Sequence, residues 1–77
     1  MTQPRPRLPV SRQIAADIRS KIEAGEYTPD VAMPSIVKLA QAYGVATGTI
    51  QKALRILKDE GLIESEPAYG TFVVKRS

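Results

Sequence analysis

Residues 35–61, SIVKLAQAYGVATGTIQKALRILKDEG, decide how this chain folds. Ser35 follows Pro34 directly, the arrangement of an N-cap that opens a helix, and Leu39, Ala40 and Tyr43 then fall on one inward side. Gly44 ends that helix, since glycine alone takes the left-handed conformation of a C′ residue without steric cost. A further helix starts near Thr47, with Ile50, Ala53, Leu54 and Leu57 inward and Gly61 as its terminator. Two helices joined by a tight glycine turn, the second longer and basic, make a helix-turn-helix. The spacing agrees with it: Ala40 is small where the helices cross, Val45 fills the gap between them, and Ile50 anchors the second from beneath.

Upstream, Ile14, Ile18 and Ile22 recur every four residues beside Ala15, which predicts an amphipathic helix with Ser11 as N-cap and Gly25 as stop. Downstream, residues 62–66 and 71–75 read as short strands around the turn Pro67-Ala68-Tyr69-Gly70, hence a hairpin. Met33 is placed as a one- or two-residue strand at the hairpin's edge. The expected fold class is α+β, mostly helical: a winged helix-turn-helix of three helices and a C-terminal β-hairpin wing. Residues 1–9 hold Pro4, Pro6 and Pro9 alternating with Arg5 and Arg7, a composition that predicts an extended, flexible basic arm ahead of one domain over 10–75.

Composition narrows the function. A chain of 77 residues has room for one small domain with a thin core. It contains no cysteine and no histidine, so thiolate chemistry and the commonest general base are missing. Asp59-Glu60 and the pair Glu64 and Glu66 are read as solvated acidic turns rather than catalytic carboxylates. No apolar run approaches the ~20 residues a bilayer needs, and Thr2 to Pro9 is too polar for a signal peptide. The expectation is a cytoplasmic protein that is not an enzyme, with no metal, no cofactor and no membrane partner.

Charge points toward nucleic acid. The net formal charge is +3, but residues 31–58 hold Lys38, Lys52, Arg55 and Lys58 with no carboxylate, while residues 59–66 hold four acids and no base. A stretch of cations without anions suits a polyanion; a solvated face is the plainer reading. With Ile50, Ala53, Leu54 and Leu57 inward, Gly48, Lys52, Arg55 and Asp59 face outward, flanked by Thr49 and Gln51. Gln51 can bond an adenine edge in two places, a threonine methyl can pack on thymine, and Gly48 lets the backbone come close. Lys52 and Arg55 are assigned to phosphate, as is Lys38 in the first turn of the preceding helix. Ile36 is expected to cap the core and Ile56 to pack against the hairpin or the arm. Arg5 and Arg7 could enter a minor groove, against the plainer reading of a leader without a role.

The combination Met33-Pro34-Ser35, Leu39-Ala40, Gly44-Val45, Thr49-Ile50, Ala53-Leu54, Glu60-Gly61-Leu62-Ile63 and Gly70-Thr71-Phe72-Val73 resembles the DNA-binding domain of the GntR (gluconate repressor) transcription regulators. The resemblance covers about residues 9–74. It implies a winged helix that binds operator DNA, commonly as a dimer on inverted half-sites. It also implies contacts from Ser35, Thr47, Thr49 and the wing tip Tyr69-Gly70. Members of the family commonly carry a larger C-terminal effector or dimerisation domain. Three positions where the family has arginines are Val37, Thr47 and Gln51 here.

The function expected is that of a sequence-specific DNA-binding transcriptional regulator, a repressor rather than an activator. Helix 47–60 enters the major groove and hairpin 62–75 serves as wing. Duplex DNA is the partner, with no small-molecule effector within this chain, and two copies are expected on an operator of repeated half-sites. The alternative is a winged-helix protein–protein interaction module with weak or no DNA binding, favoured by Val37, Ile56 and the missing arginines.

Overall fold

The computed structural model describes residues 9–66 and 68–74, so the arm with Arg5 and Arg7 lies outside the described residues. Three helices, α1 (Val10–Glu23), α2 (Ile36–Tyr43) and α3 (Thr47–Asp59), precede two strands, β1 (Ile63–Glu66) and β2 (Gly70–Val73). No described helix is long and apolar enough to cross a membrane.

α1 buries Ile14, Ala15 and Ile18, as its periodicity predicts, but it starts one residue ahead of Ser11. Pro9 is the N-cap, and its carbonyl accepts the N–H groups of Arg12 at 2.9 Å and Gln13 at 3.2 Å. A proline has its φ already set for the residue flanking a helix, which places the hydroxyl of Ser11 inside the first turn instead of before it. α2 begins as expected, with Ser35 Oγ accepting the Lys38 N–H at 3.1 Å. It closes on Gly44 at φ 69°, where Gly44 N–H donates to the Gln41 carbonyl and Val45 N–H to the Ala40 carbonyl. These two bonds satisfy carbonyls the helix leaves free and turn the chain toward α3.

α3 is the axis of the molecule. Its buried side chains Ile50, Ala53, Leu54 and Leu57 meet Ile14, Ala15 and Ile18 of α1, Leu39 and Ala40 of α2, and Ile63 and Val73 of the hairpin. β1 and β2 pair antiparallel, Ile63 opposite Val73 and Ser65 opposite Thr71. Only the Ile63–Val73 end is buried, so the rest of the hairpin projects as a wing. The strands are shorter than 62–66 and 71–75 and start at Ile63 and Gly70, although Val74 N–H still donates to the Leu62 carbonyl at 2.9 Å.

Met33 forms no strand. It meets the hairpin by one bond, its N–H donating to the Thr71 carbonyl at 2.8 Å, and Pro34 then has no N–H to continue the ladder. Ile56 is half-buried and packs against the core, sharing a surface depression with Arg12, Ala15, Ala16 and Arg19 of α1, while the arm, its other expected neighbour, lies outside the described residues. Polar ties complete the frame. Arg19 donates from Nε and Nη2 to both carboxylate oxygens of Glu60, at 2.9 and 2.7 Å, joining α1 to the end of α3. Tyr43 donates its hydroxyl to Asp17 Oδ2 at 2.6 Å, joining α2 to α1.

Candidate nucleic-acid interface

The outer side of α3 and the wing enclose a groove of about 570 Å³. Gln51, Arg55 and Lys58 line one wall, because spacings of four and three residues stack side chains along one helix face. Ser65 and Thr71 form the other wall. They are register partners on the hairpin face that carries Ile63 and Val73. Side chains alternate along a strand, so this face continues past the edge of the core and over the groove. Ile36, from the first turn of α2, closes one end. Asp59 is the acid among the lining residues.

A smaller hollow of about 490 Å³ lies between the first turn of α2 and the wing tip, lined by Ala32, Ser35, Val37, Tyr69 and Gly70 among others. Ile36 and Thr71 line both, so groove and hollow form one trough, charged over α3 and apolar toward the wing tip. The bond from Met33 to Thr71 holds this geometry, since it fixes the segment leading into Ser35 against β2.

The model of the family described as bacterial regulatory proteins, gntR family, matches residues 10–73. This chain belongs to that family. It is 35% identical over 68 residues to the HTH-type transcriptional repressor NagR of Bacillus subtilis (strain 168), covering 88% of this chain and 28% of that protein. With the mannosyl-D-glycerate transport/metabolism system repressor MngR of Escherichia coli (strain K12) it shares 40% identity over 65 residues, 84% of this chain and 27% of the other. The chain thus spans less than a third of the length of these two relatives. A crystal structure of the AraR DBD in complex with operator ORR3 superposes with a TM-score of 0.84 at 35% identity, covering 96% of this chain and 89% of that one. The fold is the winged helix-turn-helix of GntR-family DNA-binding domains.

Within this GntR-family chain, the residues singled out from sequence divide by place. Gln51 and Arg55 share the groove, while Ser35, Tyr69 and Gly70 share the hollow. Lys38 stands apart, beside Lys21, Tyr27 and Tyr43 on another side of α2. Thr47, Gly48 and Lys52 are exposed on α3, and Thr49 is half-buried. Ala46, the N-cap of α3, offers no side-chain bond to the N–H groups of the first turn. Sequence reasoning counted Lys58 among the cations of residues 31–58 without placing it on this face, and it missed Ser65 and Thr71. The helical spacing from Gln51 and Arg55 could have found Lys58, whereas Ser65 and Thr71 needed the register of the hairpin.

Proposed function

We propose that this chain recognises duplex DNA sequence-specifically and regulates transcription as a repressor, occupying its operator so that polymerase is excluded. The trough carries this reading: Gln51, Arg55 and Lys58 follow one another along one helix wall, bordered by the wing hydroxyls of Ser65 and Thr71. Residues 31–58 hold four cations and no carboxylate, and two of those cations, Arg55 and Lys58, line the groove, where Asp59 is the one acid among the lining residues. The names of NagR and MngR as repressors, and the operator complex of the AraR DBD, support it.

In this reading α3 lies in the major groove. Gln51 reads a base, with Thr47, Gly48 and Thr49 where the helix enters. Lys52, Arg55 and Lys58 neutralise phosphates, and Ser35 and Lys38 meet the backbone at the first turn of α2. Tyr69 and Gly70 bring the wing tip to the DNA, and Arg5 and Arg7 reach a minor groove. The activity requires no bond-making step, metal or cofactor, and it is exercised in the cytoplasm. One domain of this size makes few phosphate contacts, so specificity comes from two copies on half-sites about one helical turn apart, monomeric when free.

Selection of duplexes from a random pool, followed by affinity measurements on the winners, tests the reading. Gln51→Ala is expected to cost about 1–3 kcal/mol at the preferred site and to relax one or two base positions. Alanine at Lys52 or Arg55 is expected to weaken all sequences alike and to flatten the salt slope by about one unit. The exposed apolar side chains Val37 and Tyr69 favour a second reading, a protein-interaction module. A pool from which no duplex is enriched would support that one.

A further inference from the structure

We propose that the apolar half of the trough reads thymine: Val37 packs on a C5-methyl group, and the half-site carries an A·T pair opposite the first turn of α2. This rests on the DNA-binding reading above and names what the operator must present. Val37 is 56% exposed and Tyr69 74%, two of the four large apolar side chains left open to solvent among the described residues. They lie in one hollow, on either side of it, and none of the side chains lining that hollow is charged. Through Ile36 and Thr71 it runs directly into the groove of Gln51, Arg55 and Lys58. A duplex held by those cations therefore extends over Val37.

Base pairs offer donors and acceptors in the major groove, and one apolar group, the thymine methyl. An amino group or carbonyl pressed against Val37 would leave its water unreplaced, which disfavours the edges of guanine, cytosine and adenine at that contact. A methyl is instead removed from water by the same contact, with Tyr69 walling the wing side. The gain from one buried methyl corresponds to about a four-fold difference in affinity.

The test uses the whole chain and the duplex it binds best after selection from a random pool. Deoxyuridine replaces thymidine one position at a time, removing the methyl and nothing else, with affinity read by fluorescence anisotropy. At one or two positions the uracil duplex is expected to bind about four-fold more weakly, and Val37→Ala is expected to abolish that difference while leaving the circular dichroism spectrum unchanged. Val37→Arg is expected to move the selected base at the same position toward guanine. Equal binding of thymine and uracil duplexes at every position overturns the inference while leaving DNA binding intact. So does a thymine preference that survives in Val37→Ala. Absence of any duplex binding overturns the functional reading and this inference together.

Discussion

Ser35 supplies α2 with its one side-chain cap, the Oγ accepting the Lys38 N–H at 3.1 Å. The residue is exposed, so Ser35→Ala removes the cap without opening a cavity in the core. The substitution is expected to lower stability by about 1 kcal/mol, read from the urea midpoint at unchanged m-value. Asp59 presents the opposite case, a carboxylate lining the groove beside Arg55 and Lys58. It lies at the C-terminal end of α3, where the helix dipole also disfavours an anion. Asp59→Asn is therefore expected to leave stability unchanged or slightly raised and to tighten binding to all duplexes by about two- to three-fold at low salt. That factor follows from one charge ~8 Å from a phosphate in a water-like dielectric, and it shrinks as salt is added. Titrations at two ionic strengths check both parts.

At the scale of elements, what matters is how α1 and α2 are held to the frame. Tyr43 links them through its hydroxyl bond to Asp17, with Lys21 Nζ 5.7 Å from the ring centroid. Burial raises the pKa of this hydroxyl well above its ordinary value, and the bond to Asp17 raises it further. The unfolded chain therefore loses this proton near pH 10.0 while the folded chain keeps it. Ionisation then favours the unfolded state, so this contribution is complete below about pH 10 and declines as pH rises beyond it. Melting temperatures of the native chain are expected to fall more steeply between about pH 10 and 11.5 than those of Tyr43→Phe. Parallel pH profiles for the two proteins would contradict the assignment.

For the whole molecule, stability depends on a core with little to spare. Chains of this length are stable by roughly 4–11 kcal/mol. Ile18 is fully buried, facing α3 from the centre of α1. Ile18→Ala leaves a cavity in the core and is expected to cost about 2–5 kcal/mol, which lowers the melting temperature by roughly 10–30 °C. Thermal denaturation followed by circular dichroism measures it. DNA binding is expected to survive at temperatures below the lowered midpoint, since Ile18 lies on the side of α3 away from the groove.

The elements were legible in the sequence because local interactions specify them. The four-residue recurrence of Ile14 and Ile18, the cap at Ser35, the left-handed Gly44 and the inward set Ile50, Ala53, Leu54 and Leu57 all read the same way in the folded chain. Arg55 and Asp59 were placed on the outward face of α3 with Gln51 at its flank, and these three share the groove. Where the sequence misled, the competing term was also physical: Pro9 outcompeted Ser11 as the start of α1, and the missing N–H of Pro34 left Met33 with one bond in place of a strand. Other features had no local signature. Ile56 came to share a depression with residues of α1, Ser65 and Thr71 came to face Lys58, and Val37 came to share a hollow with Tyr69 only because α3 packs between α1 and the hairpin. Helical and strand periods place a side chain on its own element, whereas which elements meet is settled by how their apolar faces close around α3.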